Sequence, residues 1–171
     1  IGTGNDHLTI RSIKLNADGA LGSRGAWLLS EYTDRPGHVG MATQSMEYVY
    51  EVATDGLTHG FQVNAHAIGD RANREVLNQF QKAFENNSSK ANNHRWRIEH
   101  AQHIDPADIP RFGQMGVIAA MQAIHLSSDR PWAIERLGQK RIVEGAYVWR
   151  HLMDTGAIII NGTDVPVEPI N

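Results

Sequence analysis

The chain has 171 residues, of which 41% are hydrophobic and 20% charged, and its formal net charge at pH 7 is −3; these values are typical of one globular domain with a sizeable core. The negative charge and the absence of a cluster of lysines and arginines argue against a nucleic-acid partner, and no apolar run approaches the roughly 18 residues that a membrane helix needs. Because cysteine is absent, disulfides and cysteine-based zinc sites are excluded.

Apolar runs that end in turn residues alternate along the chain with longer stretches of helical period, which favours a parallel α/β arrangement. The predicted strands lie near residues 9–15, 61–67, 96–101, 117–124 and 157–163. The predicted helices lie near residues 45–58, 70–85, 106–114 and 140–155. A long loop over about residues 19–43 separates the first strand from the first helix, and loops of this length at a barrel rim are commonly lids or substrate contacts.

Two architectures are compatible with this order of elements. Five strands with four intervening helical segments make up five-eighths of a (β/α)8 barrel, which takes about 200 to 250 residues or more. The alternative is an open doubly wound sheet, which would need no further strand. No Gly-x-Gly-x-x-Gly sequence follows a predicted strand, so a dinucleotide-binding form of that sheet is not predicted. In both architectures the carboxyl ends of the strands meet at one rim.

Two histidines stand at the ends of successive predicted strands. His66 ends FQVNAH and His100 ends RWRIEH. Alternation along a strand places Asn64 on the same face as His66, and Ile98 on the same face as His100. A single histidine at a strand end is more often structural than a ligand. Two at matching positions, with a carboxylate at a third, favour a divalent-metal site instead.

Asp164 is the matching carboxylate, and it ends the segment AIIINGTD. Ile158 and Ile160 share its parity in the preceding strand, and we expect them to be buried. An acid that follows such a strand must be paired, bound to metal or placed at a rim, although NGTDVP is also a typical turn sequence. In a hydrolase, Asp164 would accept a proton from water and pass it to the leaving group.

Lys14 is the least expected member of this set, because it shares a strand face with Ser12 and Asn16. A lysine at such a position loses hydration unless it finds a partner. One partner is Asp18 or another acid. The other possibility is carboxylation of its amine by carbon dioxide, which would give a carboxylate able to bridge two metals. Desolvation lowers a lysine pKa from about 10.4 and would help to supply the neutral amine.

Candidate substrate contacts lie in the segment DGALGSRG, which contains Asp18 and Arg24, and at His125, which follows the strand predicted near residues 117–124. Arg24 could meet a carboxylate or carbonyl group, and for Arg24 and His125 a structural role is equally open. The remaining histidines are interpreted as surface or loop residues: His7, His38, His59, His94, His103 and His151. The tryptophans are interpreted as packing residues: Trp27, Trp96, Trp132 and Trp149.

Four segments of the chain, KLNADGALGSRGAWL, NAHAIGDRAN, RIEHAQ and NGTDVPVEP, resemble the metal-dependent amidohydrolase superfamily. The resemblance is to its amidohydrolase family 3 branch, which includes N-substituted formamide deformylase, and it covers nearly the whole chain in the correct order. It implies an α/β fold, a partial TIM-like (β/α)8 barrel in which residues 1–171 are a single catalytic-barrel fragment with strands four to eight. The first strands and the small β-sandwich of the family would be absent.

The resemblance also implies roles for individual residues. Lys14, His66, His100 and Asp164 match the family's metal ligands, with Asp164 also matching the general base and Lys14 a lysine that can be carboxylated. The implied cofactor is a divalent metal, with zinc the default, as one or two ions. The implied substrate is a small molecule with an amide-like carbon–nitrogen bond outside ordinary peptides. Two features depart from the family: a His-x-His pair is missing, and QAIH ending at His125 replaces Gln-Pro-x-His.

The leading hypothesis is therefore a metal-dependent hydrolase of carbon–nitrogen bonds. The alternative is a non-catalytic barrel fragment or binding module that keeps the fold but cannot hold metal without the missing first half. A third hypothesis is a barrel lyase or isomerase that uses Lys14 as a base or Schiff-base amine. Two open sheet edges would also invite homo-oligomerisation or cover by another polypeptide.

Overall fold

A sheet of five parallel strands forms the centre of the computed structural model, which describes residues 2–5 and 7–169. A short antiparallel hairpin of β1 (Gly2–Thr3) and β2 (Leu8–Thr9) precedes it. The sheet contains β3 (Ser12–Asn16), β4 (Gln62–Ala67), β5 (Arg97–His100), β6 (Ile118–Met121) and β7 (Ile159–Asn161), in that order. The helices are α1 (Met46–His59), α2 (Asp70–Asn86), α3 (Ile109–Met115), α4 (Ala123–Asp129), α5 (Ala133–Gly145) and α6 (Trp149–Asp154).

The strand order decides between the two predicted architectures. A doubly wound sheet reverses its strand order at a switch point. Strands β3 to β7 instead follow one another across the sheet in the order of the sequence, and every neighbouring pair is parallel. The predicted α/β fold, a partial TIM-like barrel, is therefore confirmed.

Two predicted boundaries in the second half of the chain are wrong. The strand predicted to continue to residue 124 ends at Met121, because the N–H of Ala123 donates to the Asn161 side chain (2.8 Å) and a helix begins there. His125 consequently lies inside α4. The single helix predicted over 140–155 is the end of α5 followed by α6, and the left-handed backbone of Tyr147 (φ 55°) separates the two.

Helices α1, α2, α3 and α6 cover one face of the sheet and form the main core with it, whereas Ala133 and Leu137 of α5 pack in a separate cluster. Trp96, just before β5, is fully buried at its centre, and its ring centroid lies 4.8 Å from those of Phe80 and Phe84. Its indole N–H donates to the carbonyl of Phe61 (3.1 Å), which satisfies the only polar atom of the side chain. Trp96 is thus the packing residue that the sequence predicted, and it ties β5 to the start of β4.

Replacing Trp96 with phenylalanine is expected to lower the free energy of unfolding by about 1–3 kcal/mol, because the Phe61 carbonyl would lose its buried donor. Equilibrium denaturation measures this loss. Trp149→Phe is the matched control, since Trp149 is only half-buried at the start of α6, and it should cost less. Equal losses for the two variants would contradict the role given to the Phe61 hydrogen bond.

The opposite face of the sheet carries the polar residues that alternate with the core, including Lys14 and Asn64. Ile158 and Ile160 lie towards the end of this face and are 62% and 38% exposed. Their predicted burial is wrong, because within residues 2–5 and 7–169 nothing packs over them. In the same residues β3 and β7 each have an unpaired edge. No helix of the described part is long and apolar enough to cross a membrane.

Candidate active site at the carboxyl rim

His66 and His100 meet at the carboxyl ends of β4 and β5, as their positions predicted. Their rings are in edge-to-face contact, with centroids 4.5 Å apart. Burial, together with the neighbouring His100 and Lys14, lowers the pKa of His66 to about 3. Burial also lowers the pKa of His100, against the opposing charge of Asp164. Both imidazoles are therefore neutral near pH 7, which is the form that binds metal ions.

His100 reaches the rim by a route that strand alternation does not predict. Its register partner in β4 is Ala67, and Ile98 is fully buried in the core beneath the helices. Continued alternation would place His100 in that same core. The backbone turns left-handed at His100 (φ 73°) and Ala101 (φ 43°), and this turn brings the imidazole into the pocket instead. Left-handed conformations at non-glycine residues are uncommon and cluster at functional sites.

One pocket of about 380 Å³ contains all four residues predicted to bind metal. They line it together with His125: Lys14, His66, His100, His125 and Asp164. Lys14 lies two residues before the end of β3, and Asp164 lies three residues beyond β7 in a left-handed turn (φ 55°). The pocket walls desolvate the Lys14 ammonium and lower its pKa, although Glu99 and Asp164 oppose this shift. The amine also donates to the Asn16 side chain (3.2 Å).

The fit of this pocket to a divalent ion is partial. Among residues 2–5 and 7–169, no three histidine, aspartate or glutamate side chains are close enough together to enclose an ion. His66 and His100 nevertheless supply two adjacent neutral imidazoles, which suit zinc and similar metals. Asp164 lines the same pocket but is exposed. His66 and His100 therefore fit two ligand positions of a metal ion. The four predicted ligands together do not surround a single point.

Asp18, a predicted substrate contact, is buried and faces the backbone. Its carboxylate accepts hydrogen bonds from the N–H groups of Trp27 (2.8 Å), Ile68 (3.0 Å) and Gly69 (2.8 Å). Its Oδ1 also lies 3.5 Å from Nε2 of His66, a buried ring nitrogen without a closer partner. Burial raises the pKa of Asp18 to about 7, against the three N–H donors. Asp18 thus holds the loop after β4 and backs His66, and it does not line the pocket.

Arg24, another predicted substrate contact, is also outside the lining of the pocket. Its guanidinium forms a two-pronged ion pair with Asp34, at 3.1 Å and 2.7 Å, and Arg136 of α5 contacts the same carboxylate. The side chain is therefore occupied within the loop over residues 19–43 and its junction with α5. This placement favours the structural role for Arg24, and its contact with a substrate stays a prediction.

His125 lies on α4 and lines the pocket, with its ring stacked at 5.9 Å from that of His100. Its Nε2 is buried without a hydrogen-bond partner. A polar cluster that the sequence did not indicate lies beside it: Asp129 accepts hydrogen bonds from Gln102 (2.8 Å) and from the hydroxyl of Tyr147. Asp129 and Gln102 both line the pocket. No motif marks these residues, because they come from a loop, a short helix and a turn.

Two of the histidines interpreted as surface or loop residues, His94 and His103, lie in loops but are partly or fully buried. His103 is 2% exposed, and its Nε2 lies 3.4 Å from a carboxylate oxygen of Asp70. His94 is half-buried and stacks on Phe84 at 4.2 Å, and burial lowers its pKa. Neither lines the pocket with His66. Ile104, the apolar residue next to His103, is fully buried in the core.

The fold and site together define a (β/α)-barrel segment with paired imidazole donors at its carboxyl rim, the end at which barrel enzymes place their reactive groups. Residues 2–171 match the family described as "Amidohydrolase family". The chain belongs to this family. This match confirms the amidohydrolase superfamily that the sequence motifs indicated. It does not confirm the likeness to N-substituted formamide deformylase.

Two protein relatives share more than a third of their aligned residues with the chain. Identity is 36% to "Putative amidohydrolase YtcJ" of Bacillus subtilis (strain 168), over 94% of this chain and 29% of that protein. It is 34% to "Protein LONG AFTER FAR-RED 3" of Arabidopsis thaliana, over 98% of this chain and 28% of that protein. The chain thus spans less than a third of either relative.

Two solved structures described as uncharacterized metal-dependent hydrolases share the fold. The one from Pyrococcus furiosus matches with a TM-score of 0.82 and 31% identity, over 94% of this chain and 32% of that one. The one from Pyrococcus horikoshii OT3 matches with a TM-score of 0.80 and 31% identity, over 94% of this chain and 31% of that one. The chain therefore spans about a third of the length of each of these two structures.

Proposed function

We propose that this chain supplies part of the active site of a metal-dependent hydrolase that cleaves carbon–nitrogen bonds other than peptide bonds. The observation that carries the proposal is the pair of neutral imidazoles, His66 and His100, in one pocket with Lys14 and Asp164. Membership of the amidohydrolase family and likeness to metal-dependent hydrolases support it. His66 and His100 would hold a divalent metal, zinc by default, with Asp164 and Lys14 as further ligands.

The metal, when bound, would polarise the scissile carbonyl and acidify water. Asp164 lines the pocket, where its carboxylate can accept a proton from water and return it to the leaving nitrogen. Lys14 has a lowered pKa, which increases the fraction of neutral amine available for carboxylation. We propose that a carboxylated Lys14 would bring a second negative ligand to the same pocket.

The substrate we propose is a small, neutral amide-like molecule, such as an N-formyl or N-acyl amine. A pocket of about 380 Å³ accommodates a small molecule, and its walls include the apolar side chains of Leu21, Ile68 and Trp132. Arg24 lies outside the lining and is paired with Asp34. Lys14 is therefore the only lysine or arginine among the described lining residues. This charge pattern favours an uncharged substrate over a carboxylate.

The experiment that tests the proposal combines metal analysis with hydrolysis of N-formyl and N-acyl amines. We expect bound zinc or a similar ion, and hydrolysis that a chelator abolishes and added metal restores. His38→Ala is the control for removing a histidine outside the pocket. The His38 ring forms a hydrogen bond with the Arg24 carbonyl (2.9 Å) and does not line the pocket. Hydrolysis that persists without metal would overturn the proposal.

A second candidate, a non-catalytic barrel segment, is favoured by one observation. In residues 2–5 and 7–169 the side chains do not assemble three histidine or carboxylate ligands. A folded protein that binds no metal and hydrolyses none of these amides would support this candidate. Its exposed Ile158 and the unpaired edges of β3 and β7 would then be the surface for pairing with another copy, which the concentration dependence of the molecular mass measures.

A further inference from the structure

Gln122 lies directly behind His100, at the junction of β6 and α4. It is buried, and its Oε1 lies 2.8 Å from Nδ1 of His100. Its amide nitrogen donates to the carbonyl of Ala120 (3.1 Å). The side chain therefore spans from the end of its own strand to the neighbouring imidazole, and both ends of its amide are engaged.

The two contacts of Gln122 fix the direction of its amide. A carbonyl oxygen accepts but cannot donate, so the Ala120 carbonyl must face the NH₂ group and His100 must face Oε1. Since Oε1 is also only an acceptor, Nδ1 of His100 must carry the proton. A neutral imidazole has one N–H, so its Nε2 keeps a free lone pair. His100 lines the pocket, and Nε2 is the nitrogen left to act there.

The local structure frees Gln122 for this contact. Gln122 occupies the position before the first residue of α4, where a side chain commonly caps the helix, but it makes no capping hydrogen bond. The N–H of Ala123 is satisfied by Asn161 of β7 instead. The left-handed backbone of His100 (φ 73°) leaves the strand at this point, and the ring is held by the Gln122 hydrogen bond together with its packing against His66 and His125.

We propose that Gln122 is a positioning residue that holds His100 in its Nδ1–H tautomer and thereby presents the Nε2 lone pair to a metal ion. The metal part of this inference rests on the proposed function, whereas the tautomer does not. A group that accepts the N–H of a metal-bound histidine typically strengthens metal affinity 10–100-fold. The same size of effect is expected here.

The tautomer can be measured directly by ¹⁵N NMR of the histidine rings in the metal-free protein, with the His100 signals assigned from His100→Gln. We expect a protonated Nδ1 and an unprotonated Nε2 in the wild type at pH 7.5. Gln122→Met removes the acceptor at similar volume and should release His100 to the Nε2–H form. Gln122→Glu keeps an acceptor and should retain Nδ1–H. An Nε2–H tautomer in the wild type or in Gln122→Glu would overturn the inference, even if Gln122→Met fails to fold.

Zinc affinity, measured by competition with a chromophoric chelator, tests the metal part. Gln122→Met should weaken binding by about 10–100-fold, Gln122→Glu should restore most of it, and the exposed Gln114→Met on α3 should leave it unchanged. Unaltered zinc affinity in Gln122→Met would overturn the positioning role. If the wild type binds no zinc, the proposed metal site fails, while the tautomer result still decides what Gln122 does to His100.

Discussion

Asp164→Asn is expected to lower hydrolysis of an N-acyl amine by about 10²–10⁴-fold, the usual contribution of a general acid–base group. The asparagine amide cannot accept a proton. The variant would therefore have no base to activate water and no acid to protonate the leaving nitrogen. The measurement is kcat/KM at saturating metal, taken with thermal unfolding of the same samples. Because Asp164 is exposed, we expect the melting temperature to change little.

Asp154→Asn is the matched control for this prediction. Asp154 is an exposed aspartate at the end of α6 that forms a surface ion pair with Arg150 (2.9 Å), and surface pairs contribute little. Its variant should retain full hydrolysis. If Asp164→Asn and Asp154→Asn have equal activity, Asp164 is not the proton acceptor, whatever the role of the metal.

Acid should unfold the protein, with His66 as a main cause. The folded-state pKa of His66 is about 3, against an ordinary value of 6.5. Between these values the unfolded chain binds a proton that the folded chain does not, so stability is complete above pH 6.5 and falls as the pH drops towards 3. With 1.36 kcal/mol per pKa unit, and some exposure of the ring to water, we expect a loss of roughly 2–4 kcal/mol.

His66→Gln isolates this contribution, because glutamine has no titrating group. We expect its free energy of unfolding, measured by denaturant at pH 7.5 and pH 4.5, to fall less on acidification than that of the wild type. Asp18 acts in the opposite direction, since its raised pKa of about 7 makes the folded state lose stability as the pH rises from 3.8 to 7. Parallel pH profiles for His66→Gln and wild type would contradict the role of His66.

The sequence predicted the sheet and most of the rim for a physical reason. Strand-like segments that end in turn residues alternate with helical stretches, and the carboxyl ends of parallel strands meet at one rim, so His66 and His100 could be expected to lie together. The strand end at Met121 and the break at Tyr147 could not be predicted. Both depend on contacts with residues far along the chain or on a single backbone angle.

The contacts of site residues that depend on loop geometry could not be predicted from the sequence. Arg24 was predicted as a substrate contact, and the structure pairs it with Asp34, whose carboxylate also contacts Arg136. Gln122 opens the segment QAIH, but that motif does not indicate its contact with His100, which arises from the left-handed turn that brings His100 beside it. A motif gives the residue types of a site, whereas tertiary contacts decide which of them face the substrate.

The loop over residues 19–43 was predicted as a lid or substrate contact, and its anchoring to α5 has a kinetic consequence. Arg136 contacts Asp34, and Arg141 donates to the carbonyls of Ser30 (3.2 Å) and Glu31 (2.9 Å). A segment held at so many points is ordered before any ligand arrives. Binding would therefore not have to supply the entropy of ordering this wall, and association should proceed in a single fast phase, without a slow closing step of this loop.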